Sequence, residues 1–148
     1  DAVYASMARA LKKPVSSLET PELQLKLLLG GTEAETRASI ESALEELESG
    51  KATPQLARLA RVWSDGRLGE MENYEAWCEC LETEADRLMM RRMLDERNPG
   101  LAKSIDAIHA SGKSVFAAVG SLHMIGRLGL PALLAERGYK VERIDFKP

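Results

Sequence analysis

Apolar residues recur every three or four positions along most of this chain, and proline and glycine cut that pattern into segments. Val3, Met7, Ala10 and Leu11 share one helical face. Pro14-Val15-Ser16-Ser17-Leu18 is a short proline-bounded run that reads as a strand. Thr20 then supplies an N-cap and Pro21 a first-turn proline for a helix through Leu29, which Gly30-Gly31 stops. Thr32-Glu33-Ala34-Glu35 is a capping-box pattern, in which threonine and glutamate satisfy each other's free backbone donors. The helix behind it carries Ile40, Ala43, Leu44 and Leu47 and ends at Gly50. Thr53-Pro54 repeats the cap-proline device, with Leu56, Leu59, Ala60 and Trp63 as the stripe behind it. Ser64-Asp65-Gly66 is a turn, and the stretch to Glu70 reads as irregular. One long helix is expected from about residue 72 to 96, with Trp77, Leu81, Ala85, Leu88 and Met89 on one side. Asn98-Pro99 caps another, carrying Leu101, Ile105 and Ile108 to a stop at Gly112.

The period then changes. Ser114-Val115-Phe116-Ala117-Ala118-Val119 is a short apolar run of the kind found in strands buried on both faces. Residues 120–129 form a glycine-punctuated loop, Pro131 starts a short helix ending at Gly138, and Tyr139 to Phe146 reads as a last strand. Strand, helix, strand predicts a βαβ unit with parallel strands and a right-handed crossover. The expected fold class is therefore α/β: a predominantly helical domain with a small, partly parallel β-sheet that includes a C-terminal βαβ unit. Residues 1–148 are read as a single domain, its helical segment of about 20–112 inserted between a first strand and the βαβ unit at 114–146. Three short strands are few for so many amphipathic helices, and the chain opens on Asp1 rather than Met. Both features lead us to expect an N-terminally truncated domain. Its open sheet edge would favour homo-oligomers.

Composition narrows the function. Of 148 residues, 45% are hydrophobic and 29% charged, a globular balance, and the net charge of −3 gives no reason to expect a nucleic-acid partner. The basic cluster Arg87, Arg91, Arg92 and Arg97 is interrupted by Asp86, Asp95 and Glu96, and reads as a solvated, ion-paired helix face. No apolar run is long enough to span a membrane. Cys78 and Cys80 lie within the expected long helix, where residues two apart diverge, so they read as two structural thiols rather than a disulfide.

In α/β folds ligands collect beyond the carboxyl ends of strands. Two ionisable residues are expected there. Glu19 follows the first strand and precedes the Thr20-Pro21 helix start; His123 follows Val119 in the glycine loop. Such a pair is suited to acid–base work or to the start of a metal site. The plainer alternatives are a carboxylate placed by a helix N-terminus and a structural histidine. Arg97 either meets a substrate carboxylate, holds Glu19 in place, or pairs with Asp95 or Glu96 on the surface. His109, beside the apolar stripe of its helix, reads as structural. With only two histidines in the chain, a histidine-rich metal centre is excluded from this polypeptide alone.

The order of these motifs resembles one family. Lys13 to Thr20, with Gln24 behind it, is similar to the "kpv-x-x-LE-T-x-x-x-Q" segment of TraB/GumN proteins. Trp63 with its glycine turn, Arg97-Asn98, and Val119-Gly120-Ser121-Leu122-His123 followed by Gly126, Gly129 and Gly138-Tyr139-Lys140-Val141 resemble its later elements, in order, over essentially the whole chain. The resemblance extends to the Tiki metalloproteases, whose site pairs two GxxH motifs with an acidic residue around a divalent metal. It implies His123 and Glu19 as metal ligands, and Glu19, His123 and Arg97 as catalytic residues. It also implies Gly120, Ser121 and Gly126 beside the substrate. The first GxxH of the family has no counterpart in this sequence.

That resemblance implies a metal-dependent hydrolase acting on a peptide or protein, using Mn, Co or Zn in the full-length protein, with this fragment itself inactive and not required to bind the metal. Export to the periplasm or beyond is implied in the same way. The alternatives are a non-catalytic module that binds a peptide pheromone, and an accessory protein of exopolysaccharide production.

Overall fold

The computed structural model describes residues 2–29 and 32–145. The Asp1 start, the Gly30-Gly31 stop and the Phe146 end of the expected last strand lie outside them. The described chain is helical: α1 (Ala2–Ala10), α2 (Pro21–Leu28), α3 (Glu33–Glu48), α4 (Ala52–Ser64), α5 (Leu68–Glu72), α6 (Tyr74–Trp77), α7 (Glu84–Met93), α8 (Asn98–Ala110) and α9 (Leu130–Glu136), with a 3₁₀ turn at Ser121–Met124.

Local chemistry accounts for most of these boundaries. Thr20 caps α2, its hydroxyl accepting from Leu23 N–H at 3.3 Å, and Pro21 opens the first turn. Thr32 and Glu35 form the capping box of α3. Thr83 and Asp86 form a second at α7, which the sequence reading overlooked because it ran one helix through this point. Thr53 is not a cap: α4 starts a residue earlier, at Ala52, without a side-chain cap. Gly50, Gly112 and Gly138 all stop helices in the left-handed region, at φ 74°, 83° and 90°.

A small core holds Leu101, Ala102 and Ile105 of α8 against Leu130 of α9, with Leu18, Val115, Val119, Leu133 and Leu134 around them. Val62, Met71, Cys78 and Leu81 are buried elsewhere in the chain. The chain exposes 10944 Å², against roughly 7,500 Å² for a compact monomer of its mass, so the helices do not close on one shared interior. Polar contacts bridge between them instead. Ser42 of α3 donates to Asp86 of α7 at 3.1 Å, and Arg92 of α7 pairs with Glu35 of α3 at 3.2 Å.

The expected β-sheet and βαβ unit are not formed among the described residues. Residues 15–17, 114–119 and 139–145 take no regular secondary structure, and none pairs with another to make a ladder. A β-rich apolar run specifies an extended backbone, whereas a strand also needs a neighbour whose amides and carbonyls face it. Here the neighbour is helical. Val115 and Val119 rest on the α8–α9 core, while Phe116 is 76% exposed and meets the Tyr4 ring at 5.3 Å between centroids. The run is therefore not buried on both faces. The sheet edge from which self-association was reasoned is likewise absent among these residues.

The long helix expected over 72–96 is also broken. α5, α6 and α7 replace it, with Cys78 in an extended conformation (φ −78°, ψ 109°). Leaving the helix there turns two divergent positions into neighbours, and Cys78 and Cys80 form a disulfide across a Cα separation of 5.1 Å. The reading of two free thiols is thereby corrected. Thr83→Ala removes the cap of α7 and one support of the Asp86–Ser42 bridge. A loss of about 1 kcal/mol in urea unfolding is expected.

Candidate functional site

The start of α8 gathers the residues singled out by the sequence. Leu18 and Glu19 lie in a bend, where Ser17 Oγ–H donates to the Glu19 carbonyl at 2.5 Å and Ser104 Oγ–H of α8 donates to the Leu18 carbonyl at 3.1 Å. This pins the bend against α8 and turns the Glu19 carboxylate toward Arg97. The guanidinium grips it with two parallel bonds, Nε–H to Oε1 at 2.8 Å and Nη2–H to Oε2 at 2.6 Å. Gln24 of α2 adds a longer contact at 3.5 Å, and Arg97 Nη1–H donates to the Met93 carbonyl at 3.0 Å. Glu19 is 7% exposed and Arg97 15% at the side chain. The hydrogen bonds from Arg97 hold the Glu19 carboxyl below its ordinary pKa, against the opposing effect of burial, and the same bonds raise that of Arg97. Arg97 thus pairs with Glu19, and not with Asp95 or Glu96.

Asn98, the next residue, is 1% exposed and does not act as a helix cap. Its Nδ2–H donates to the Leu128 carbonyl at 2.8 Å, which leaves Oδ1 facing His123 Nδ1 at 2.6 Å. An amide oxygen only accepts, so Nδ1 carries the imidazole proton and Nε2 keeps its lone pair. His123 is 8% exposed. Burial lowers its pKa, the Arg97 charge lowers it further, and Glu19 partly offsets both, so the ring is neutral near pH 7. The Asn98–His123 bond beside the Arg97–Glu19 pair brings the three residues to one rim, assembled around a helix start rather than at strand ends.

The glycine loop shapes the other wall. Gly120 precedes the turn that Ser121 opens, and its carbonyl accepts from His123 N–H at 3.0 Å. Gly126 is left-handed at φ 73°, and its carbonyl accepts from Gly129 N–H at 3.1 Å. A Cβ on Gly129 would fall 2.8 Å from the Ile125 carbonyl carbon, so the loop that presents Leu128 to Asn98 closes only with glycine there. His109 lies away from this rim, exposed, with its ring edge-on to Tyr139 at 5.3 Å. Asn98 is the residue that sequence reasoning missed as a site component. An asparagine before proline reads as a cap, and nothing local distinguishes it from one whose amide is used elsewhere.

As metal donors these residues are unequal. His123 Nε2 fits a ligand's role, because Nδ1 is held by a hydrogen bond to Asn98, as the far nitrogen of a metal-binding histidine commonly is. Both Glu19 oxygens are bonded to a guanidinium, whose charge opposes a dication. Among the described residues, no group of three His, Cys, Asp or Glu side chains converges to hold an ion. No helix among them is long and apolar enough to cross a membrane.

Comparison with known proteins adds one result. The chain matches the TraB/PrgY/gumN family over residues 1–143, and it belongs to that family. No curated protein and no solved structure matches it.

Glu19 and His123 make stability depend on acid in the same direction. Each group takes up a proton more readily in the unfolded chain than in the folded one. His123 therefore costs stability as pH falls below its ordinary 6.5, and Glu19 adds to the loss as pH falls past 4.5 and through its lower folded value. In thermal unfolding from pH 7 to 5, His123→Gln should flatten the decline without removing the steeper loss at lower pH. Arg97→Met leaves a buried carboxylate unanswered and should cost about 3 kcal/mol, more than the double variant Glu19→Gln/Arg97→Met.

Proposed function

We propose that this member of the TraB/PrgY/gumN family contributes one neutral imidazole, His123, to a metal-dependent hydrolytic site acting on peptides, that Asn98 positions it, and that Glu19 and Arg97 set the charge around it. The reading rests on the Leu128–Asn98–His123 relay, which fixes the tautomer, and on an Nε2 that meets no donor among the described residues. A neutral imidazole with a free Nε2 can ligate a divalent ion or accept a proton from water. A bound ion would supply Lewis acidity and a lowered water pKa. Glu19, held by Arg97, serves as counterion to the rim in place of the ligand or base that the family resemblance implies.

A catalytic zinc commonly takes three protein donors. The rim described here offers His123 alone, so a metal centre requires further donors beyond the described residues. The same observation favours a second reading, in which the rim binds a peptide without cleaving it. Its charges suit that role too, since an internally neutralised carboxylate–guanidinium pair needs no metal.

Mn²⁺ or Co²⁺ titration of the full-length protein, followed by a peptide hydrolysis assay, separates the two. The hydrolase reading expects His123→Ala to abolish binding and cleavage together. Asn98→Ala should lower affinity by about 10–100-fold with the helical spectrum retained, and Glu19→Gln should lower stability more than affinity. Absence of metal binding, with peptide held but recovered intact, replaces the hydrolase with the binding module.

A further inference from the structure

Away from the candidate site lies a feature that the hydrolytic reading does not use. Cys78 and Cys80 close a disulfide around a single intervening residue, in the irregular segment between α6 and α7. A cross-link this short restricts the unfolded chain very little, because disulfide stabilisation by chain entropy grows with loop length. Its surroundings are chemically specific. The Tyr74 hydroxyl lies 3.2 Å from Cys78 Sγ and 3.3 Å from Cys80 Sγ, so one phenol serves both sulfurs. Gln55 approaches Cys78 Sγ through Oε1 at 3.8 Å, and its buried Nε2 has no partner among the described residues. A cavity of about 230 Å³ opens onto the two sulfurs between Gln55, Leu56, Leu59 and Trp77. The sulfurs are not equivalent: Cys78 is 8% exposed, whereas Cys80 is only half-buried.

We propose that Cys78–Cys80 is a redox-active disulfide that exchanges with an external dithiol, with Cys80 as the attacked sulfur and Cys78 as the leaving group. A thiolate of the dithiol bonds to Cys80 Sγ. The S–S bond breaks and its electron pair goes to Cys78 Sγ, where the thiolate accepts a hydrogen bond from the Tyr74 phenol and is then protonated from solvent. The second thiolate of the reductant attacks its own sulfur in the mixed disulfide and releases Cys80 as a thiolate, which is protonated in turn. Two electrons and two protons pass from the dithiol to the cystine, and the reductant leaves as a disulfide. Burial and the nearby Glu46 raise the pKa of Tyr74, which keeps it a phenol able to donate throughout.

The test uses the full chain, dithiothreitol as the dithiol, and mass-resolved alkylation to count thiols under native conditions. Both cysteines should become alkylatable while the far-UV spectrum stays helical, and air or oxidised dithiothreitol should restore the disulfide. Tyr74→Phe, with the spectrum retained, should slow reduction about tenfold, as expected for a lost hydrogen bond to a developing charge. With single cysteines, Cys78→Ser should leave a Cys80 that reacts with an aromatic disulfide faster than the Cys78 left by Cys80→Ser. Reduction only after unfolding in guanidinium would make the cross-link structural and overturn the proposal. So would free thiols persisting in the oxidised native protein, or an unchanged rate in Tyr74→Phe.

Discussion

A carboxylate shielded to 7% exposure has to have its charge answered, and in this chain the answer comes from 78 residues away. The Glu19–Arg97 pair is the interaction on which the site's geometry depends. Because the guanidinium fork meets the carboxylate with two parallel bonds, it fixes direction as well as distance. The bend at residues 17–19 is thereby tied to the residue that immediately precedes α8. Breaking one side leaves a buried ion, so the pair constrains the native state more strongly than its net contribution to stability would suggest.

The start of α8 then distributes that constraint. Arg97 reaches one way to Glu19, and Asn98 reaches the other way to Leu128 and His123. Consecutive residues on a helix point about 100° apart, which lets a single helix start hold two separate segments. The cost is the ordinary asparagine cap, and Pro99 lessens it because proline brings no amide to be satisfied in the first turn. Ser104, further along the same helix, anchors the Leu18 carbonyl. The apolar face of α8 packs on Leu130, so the helix that orients the polar rim also forms the core beneath it.

Local signals were legible wherever a few adjacent residues determine the outcome. The Thr20-Pro21 start, the Thr32–Glu35 box and the glycine stops are interactions within one turn of backbone, and pattern reading captures them. Glu19, Arg97 and His123 were singled out as candidates and the structure brings them together, but by a different route from the one expected. The sheet was not legible correctly, because residues 114–119 have strand composition without a strand beside them. Cys78 and Cys80 were misread for a related reason. Periodicity ran a helix through them, whereas the Thr83–Asp86 box marks a fresh helix start five residues later. In both cases tertiary context overrode a pattern that was locally sound.

Charge balance argues for the division of roles in the proposed site. Glu19 and Arg97 cancel, and the neutral form of His123 is the one favoured by burial and by Arg97, so the three together bring no net charge to the rim. A divalent ion at Nε2 would then find no net negative charge to offset its own, and anionic donors would have to come from other groups or from substrate. Under the same balance a peptide carboxylate meets no repulsion from Glu19, since that charge is already spent on Arg97. In either proposed function, Glu19 acts on chemistry only through Arg97 and through its field at the imidazole, and the reactive atom of this rim is His123 Nε2.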